Sequence, residues 1–223
     1  MIRISVSILN ADLADLKGVA ETVQNSGAEM LHYDVMDGCF VDNISFGLPV
    51  LHSLRRCTDL PLDVHLMIRD PLHFAERFAN EGAQLLSFHV ESESDPAETV
   101  QEIHRLGMHA GIALSPNTPL ERLYPYLHTL EPEDFVLLMT VEPGWGSQPF
   151  LHSVLPKIKA LRSRMTEENL PLHIEVDGGI NAETAVLCRE AGADLLVSGS
   201  FLFRAPDARE AVRQLRGEKE SFR

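Results

Sequence analysis

The stretch Leu31-His32-Tyr33-Asp34-Val35-Met36-Asp37-Gly38 concentrates residues that can do chemistry. It leaves an apolar run and ends on Asp-Gly, a turn signal. In a β-strand alternate side chains share a face, so His32, Asp34 and Met36 point one way and Leu31, Tyr33 and Val35 the other. A histidine beside a carboxylate at a strand end is a pair of metal ligands, an acid/base with its partner, or a buried histidine bonded to an aspartate. Two further strands tip this choice. In Leu62-Asp63-Val64-His65-Leu66-Met67, the residues Asp63, His65 and Met67 share a face, and Glu175-Val176-Asp177-Gly178-Gly179 ends an apolar run on an acid. His32, Asp34, His65 and Asp177 then form a four-ligand set for one divalent metal ion, with Zn²⁺ first and Fe²⁺, Mn²⁺ or Co²⁺ also suited. His89 and Glu91 share one face of His-Val-Glu and stand as groups that orient the ligands. His104, His109, His128, His152 and His173 fall on helices, strand starts or connections and read as surface or structural groups. Met36, Met67 and Met139 end strands, either as core filler or as a soft, water-poor wall around the metal.

An anion site is written in the loops. Gly144-Trp145-Gly146-Ser147 exposes consecutive backbone amides, and Gly178-Gly179 and Gly199-Ser200 follow later strands. Three glycine-rich loops at neighbouring strand ends suit a phosphate monoester. Ser7, ending the first strand, is a hydroxyl donor to the site or a strand-end cap. The four lysines, Lys17, Lys157, Lys159 and Lys219, all miss the strand C-termini, which argues against Schiff-base chemistry and against a carboxylate–lysine decarboxylase array.

These residues need a scaffold that gathers strand ends. Apolar runs at Ile2–Ile8, Met30–Met36, Leu62–Met67, Leu85–Val90, His109–Leu114, Phe135–Thr140, Leu172–Val176 and Asp194–Ser198 predict eight strands. Amphipathic segments near Asp12–Asn25, Pro49–Arg56, Pro71–Asn80, Pro96–Leu106, Pro119–Leu127, Phe150–Met165, Ala182–Glu190 and Pro206–Leu215 predict the helices between them. Eight strand–helix units without a linker over residues 1–223 predict an α/β fold, one (β/α)₈ TIM-barrel domain, whose active site lies at the strand C-termini. The alternative is a doubly wound open sheet, but the first strand lacks a following GxGxxG. The charged tail after Leu215 is expected to fray.

Composition narrows the partners. With 44% hydrophobic and 23% charged residues the chain reads as a globular domain, and a net charge of -14 argues against nucleic acid and anionic membranes. An anionic substrate must therefore be held by local amides. Cys39, Cys57 and Cys188 form no close pair, and no signal peptide or membrane span is read, so a reducing cytoplasm is expected.

The stretches Ser7-Ile8-Leu9-Asn10, 31–38, 43–47, 62–68, 139–150, 174–181 and 197–200 together resemble the ribulose-phosphate 3-epimerase family, in the family's order over nearly the whole chain. The resemblance implies a ribulose-phosphate-binding barrel that interconverts ribulose 5-phosphate and xylulose 5-phosphate in the pentose phosphate pathway. It implies metal binding by His32, Asp34, His65 and Asp177, with Asp34 and Asp177 as the two acid/base groups. It places Ser7 and His65 against substrate, gives the phosphate to Gly144, Trp145, Gly146, Ser147, Gly178, Gly179, Gly199 and Ser200, and suggests a homo-oligomer. The chain departs from the family pattern at Val6, Cys39, Asp42, Ser115 and Ser147. Asp42 and Ser147 alter loops at the mouth, which keeps open an epimerase of a ketohexose 6-phosphate such as allulose 6-phosphate. A non-catalytic phosphate-binding barrel is the alternative of another class; it predicts a lost acid/base or ligand position, and none is lost.

Overall fold

The computed structural model describes residues 2–218. Eight parallel strands close into a barrel in sequence order: β1 Arg3–Ser7, β2 Met30–Met36, β3 Leu62–Met67, β4 Leu85–His89, β5 His109–Leu114, β6 Phe135–Met139, β7 His173–Asp177 and β8 Leu195–Val197. β1 pairs with β8, so no edge is left open. The chain is thus a (β/α)₈ barrel, and all eight strands coincide with the apolar runs of the sequence to within two residues at either end.

The helices are α1 Leu16–Ser26, α2 Leu48–Arg55, α3 Pro71–Asn80, α4 Pro96–Arg105, α5 Leu155–Glu167, α6 Ala182–Ala191, α7 Ser200–Arg204 and α8 Ala208–Arg216. Local signals set their starts. Pro71 and Pro96 occupy the first turns of α3 and α4, behind Asp70 and Asp95, whose carboxylates accept from backbone amides there. Asn181 and Thr184 form a reciprocal capping box at α6.

Two expectations need correction. The segment Pro119–Leu127 is not an α-helix but two 3₁₀ turns, Leu120–Arg122 and Tyr124–Thr129. Pro125 lacks an N–H and its ring would clash with the carbonyl four residues back, so only short i→i+3 turns survive. The last helix begins at Ala208 behind an Asp207 cap, and a separate short helix, α7, precedes it. The expected fraying after Leu215 falls mostly outside the described residues; of that tail, Arg216 completes α8 and Gly217 caps it.

The period-2 pattern of β2 is realised. Leu31, Tyr33 and Val35 pack in the large apolar layer between barrel and helices, while Met36 packs with Met67 and Val41 at the mouth. Each fully buried Leu or Phe contributes roughly 1.5–3 kcal/mol, and Leu31, Leu62, Leu66, Leu86 and Phe88 are all fully buried here. Inside, Met30, Leu85, Phe135, Leu137 and Leu195 plug part of the barrel. The remaining inward positions carry polar groups: Ser5, His32, Asp34, Asp63, His65, Ser87 and Glu175 are buried. Buried polarity on this scale is costly unless each group has a partner or a task.

Candidate active site

Register brings the chemistry together. β2 and β3 align Asp34 with His65 and Met36 with Met67, while β6 and β7 align Met139 with Asp177. The ligand atoms of His32, Asp34, His65 and Asp177 lie within 4.8 Å of one another. His32 Nε2 is 3.4 Å from Asp34 Oδ1 and 4.0 Å from Asp177 Oδ2, and His65 Nδ1 is 3.7 Å from Asp34 Oδ1. Both histidines are fully buried, and His32 Nε2 and His65 Nδ1 have no hydrogen-bond partner. Two orphaned imidazole nitrogens aimed at two carboxylates fit a divalent cation, since each orphan otherwise costs about 1–3 kcal/mol.

The opposite nitrogen of each ring is engaged. His32 Nδ1 lies 2.7 Å from Asp63 Oδ2, which also accepts from Ser5 Oγ at 2.7 Å. With the hydrogen on Nδ1, the lone pair of Nε2 faces the cluster. His65 Nε2 lies 3.0 Å from His89 Nε2, and His89 Nδ1 lies 3.2 Å from Glu91 Oε2. Ser7 Oγ donates to Asp34 Oδ2 at 2.7 Å, making it a brace for that carboxylate as well as part of the cleft wall. His32, Asp63 and Glu175 form a second close set, but Nδ1 is already occupied by Asp63, so this set supports the first.

The field separates the two carboxylates. Burial alone would raise the Asp34 carboxyl, but the charge and hydrogen bonds of His32, with help from His65, hold it well below the usual range. For Asp177 burial dominates and the Asp34 charge adds to it, pushing the group up to about 7. His65 is pushed down to about 4, chiefly by burial. For His32 burial is outweighed by Asp63 and Asp34, and the ring is raised well above its ordinary value. Around neutrality, without a metal, one carboxylate is ionised and its neighbour tends to hold a proton.

Above this floor opens a cleft at the C-terminal ends of the strands. Asp34, Asp177, Ser7, Met36, Met67 and Met139 line its floor and lower walls. The loops Gly144–Ser147, Gly178–Gly179 and Gly199–Ser200 line the upper walls together with Asn10, Glu142 and Gln148. Two glycines have a steric reason. A Cβ on Gly199 would lie 2.4 Å from the Ser7 carbonyl oxygen, and Gly179 has φ +66 with a phantom Cβ 2.7 Å from the Phe150 nitrogen. Ser147 holds a left-handed φ of 59 without being glycine, and Asn10 Nδ2 donates to its Oγ at 3.4 Å. Trp145 is 60% exposed at the loop tip. Met139 packs with the barrel plug rather than with Met36 and Met67, so the three methionines line the cleft from two clusters.

Residue-level reading of the sequence missed Asp63, Glu175 and Ser5 as partners of the site. Asp63 and Glu175 each stand two residues before a proposed ligand on the same strand face, and that spacing was the available signal. His104 pairs with Asp134, His128 with Glu168 and His173 with Asp194, all away from the cluster.

A closed barrel with titratable groups converging at the strand C-termini, under a glycine-rich rim, has the architecture of a (β/α)₈ barrel enzyme. The sequence profile of the ribulose-phosphate 3 epimerase family matches residues 3–203. The chain belongs to that family and is an isomerase of the epimerase type. It is 47% identical over 221 residues to a ribulose-phosphate 3-epimerase of Bacillus subtilis (strain 168), covering 98% of this chain and 100% of that one. It is 45% identical over 213 residues to the Mycobacterium tuberculosis (strain ATCC 25618 / H37Rv) protein of the same name, covering 96% and 91%. Among solved structures, 3-keto-L-gulonate-6-phosphate decarboxylase from Vibrio cholerae superposes with a TM-score of 0.72 at 15% identity, covering 98% of this chain and 97% of that one. That likeness carries the fold alone. Among the described residues no helix is long and apolar enough to cross a membrane.

Proposed function

We propose that this chain, as one (β/α)₈ domain, inverts C3 of ribulose 5-phosphate to give xylulose 5-phosphate by two-base proton transfer. The observation that supports this best is the pair of carboxylates, Asp34 and Asp177, converging on one cleft floor with opposite tendencies to hold a proton. Inverting a carbon beside a ketone requires a proton to leave one face and another to arrive on the opposite face. Asp34, ionised and braced by Ser7, suits removal at its carboxylate oxygen. Asp177, from the far strand, suits delivery, and the roles exchange in the reverse reaction.

His32, Asp34, His65 and Asp177 would hold one divalent ion, Zn²⁺ or one of Fe²⁺, Mn²⁺ and Co²⁺. When bound, such an ion supplies Lewis-acid stabilisation of the negative charge that develops on substrate oxygens next to the reacting carbon. The loop amides and hydroxyls of 144–147, 178–179 and 199–200 would grip the phosphate, supplying remote binding energy that orients the sugar. Met36, Met67 and Met139 keep the reacting end dry and so strengthen the local electrostatics.

The test is an assay on a panel of ketose phosphates with bound metal measured alongside. Ribulose 5-phosphate is expected to be the fastest substrate. Negligible turnover of it beside allulose 6-phosphate would move the assignment to a hexulose phosphate, and no turnover of any sugar would favour a non-catalytic barrel.

A further inference from the structure

For Nδ1 of His65 to face a metal, the ring hydrogen must sit on Nε2. That nitrogen lies 3.0 Å from His89 Nε2, which must then accept. His89 is left with its own hydrogen on Nδ1, which lies 3.2 Å from Glu91 Oε2 and 3.4 Å from Ser115 Oγ. The other Glu91 oxygen accepts from the Ser115 backbone amide at 2.9 Å. The loop carrying Ser115 is itself pinned, because Lys157 Nζ donates to the carbonyls of Pro116 and Thr118 at 2.5 and 2.6 Å. Both imidazoles are fully buried and stack at 5.0 Å with 27° between planes, and Phe40 packs against His89 at 4.8 Å. With both rings fully buried, the tautomer of His65 follows from that of His89 behind it. At the far end from the cleft the direction is set by the Glu91 carboxylate, which can only accept.

We propose that Glu91 is a positioning residue that acts through His89 to fix His65 in the tautomer presenting Nδ1 to the cleft floor. The inference rests on the reading of His65 as a metal ligand. Glu91→Gln keeps the shape but offers one acceptor oxygen to two donors, the His89 ring and the Ser115 amide. His89→Phe keeps a buried ring and removes the relay.

The experiment measures Zn²⁺ dissociation constants by chelator competition on metal-stripped wild type, Glu91→Gln and His89→Phe. Ring-nitrogen NMR of the same metal-free proteins reports which His65 nitrogen carries hydrogen. The expected result is binding about tenfold weaker in Glu91→Gln and about 10–100-fold weaker in His89→Phe, as for other groups that orient a ligand. Wild-type His65 should carry its hydrogen on Nε2, and Glu91→Gln should convert it to a mixture. Equal Zn²⁺ affinity in all three proteins, or wild-type His65 with hydrogen on Nδ1, overturns the relay. A wild-type chain that binds no Zn²⁺ instead overturns the metal reading, and the NMR measurement still decides the relay on its own.

Discussion

Replacing Asp63 with alanine should destabilise the metal-free protein by about 3–5 kcal/mol, the cost of breaking a buried charged partnership. The magnitude follows from the contacts. One Asp63 oxygen accepts from His32 Nδ1 and Ser5 Oγ, each at 2.7 Å, and all three residues are fully buried. Alanine leaves two buried donors without acceptors. Burial by itself opposes ionisation of Asp63, yet the His32 charge and the hydrogen bonds hold the carboxyl below its ordinary value. The fold therefore favours the ionised form on balance, and the sign of the effect is a loss. For a chain of this size about 1 kcal/mol corresponds to roughly 2–4 °C in melting temperature, so a fall on the order of 10 °C is expected. Asp63→Asn retains an acceptor oxygen and should lose less than half as much. Calorimetry in the presence of a chelator checks both variants. An Asp63→Ala protein melting within 2 °C (a threshold of about 1 kcal/mol) of wild type would refute the claim that this pair holds His32.

The pH dependence of the metal-free protein follows from Asp177, whose carboxyl is raised from 3.8 to about 7. A raised carboxyl stabilises the fold fully below its unfolded value and loses that contribution as pH climbs through about 7. Measured with chelator present, the stability of Asp177→Asn relative to wild type should therefore grow between pH 4 and 7, by at most about 1.4 kcal/mol per pH unit, and level off above. Parallel pH profiles for the two proteins would contradict this. At Ser147, whose left-handed φ of 59 strains a non-glycine residue and whose bond from Asn10 is a long, exposed 3.4 Å, Ser147→Gly should stabilise the fold by about 0.5–1 kcal/mol. A lower melting temperature for that variant would show that the Asn10 contact outweighs the strain.

The candidate ligand set was legible because it obeys the period of a strand. Asp34, His65 and Asp177 sit in the C-terminal halves of their strands with His32 two residues before Asp34 on the same face, and barrel closure converts that pattern into proximity. Glycine-rich loops at 144–147, 178–179 and 199–200 were legible for the same reason. Depth along the barrel was not. Whether Asp63 on β3 meets His32 on β2, and how near Glu175 on β7 approaches, depends on strand stagger, which no local pattern encodes. His89 was legible as a helper of the site, but its stacking on His65 and its reach to Glu91 needed coordinates. The 3₁₀ segment at 120–129 shows a local rule overriding periodicity, since Pro125 forbids the helix its apolar spacing suggests. α7, at five residues, is too short for a periodic signal to form.

The most direct test of the two-base account is exchange of the C3 proton of ribulose 5-phosphate with solvent deuterium, followed by NMR in metal-loaded wild type, Asp34→Asn and Asp177→Asn. Wild type should incorporate deuterium at C3 as xylulose 5-phosphate forms. Each variant should fold and lose epimerisation by at least about 10³-fold, consistent with the roughly 10²–10⁴-fold that a positioned acid or base contributes. Wild-type rates of epimerisation in either variant would contradict the assignment of Asp34 and Asp177 as the groups that move the proton.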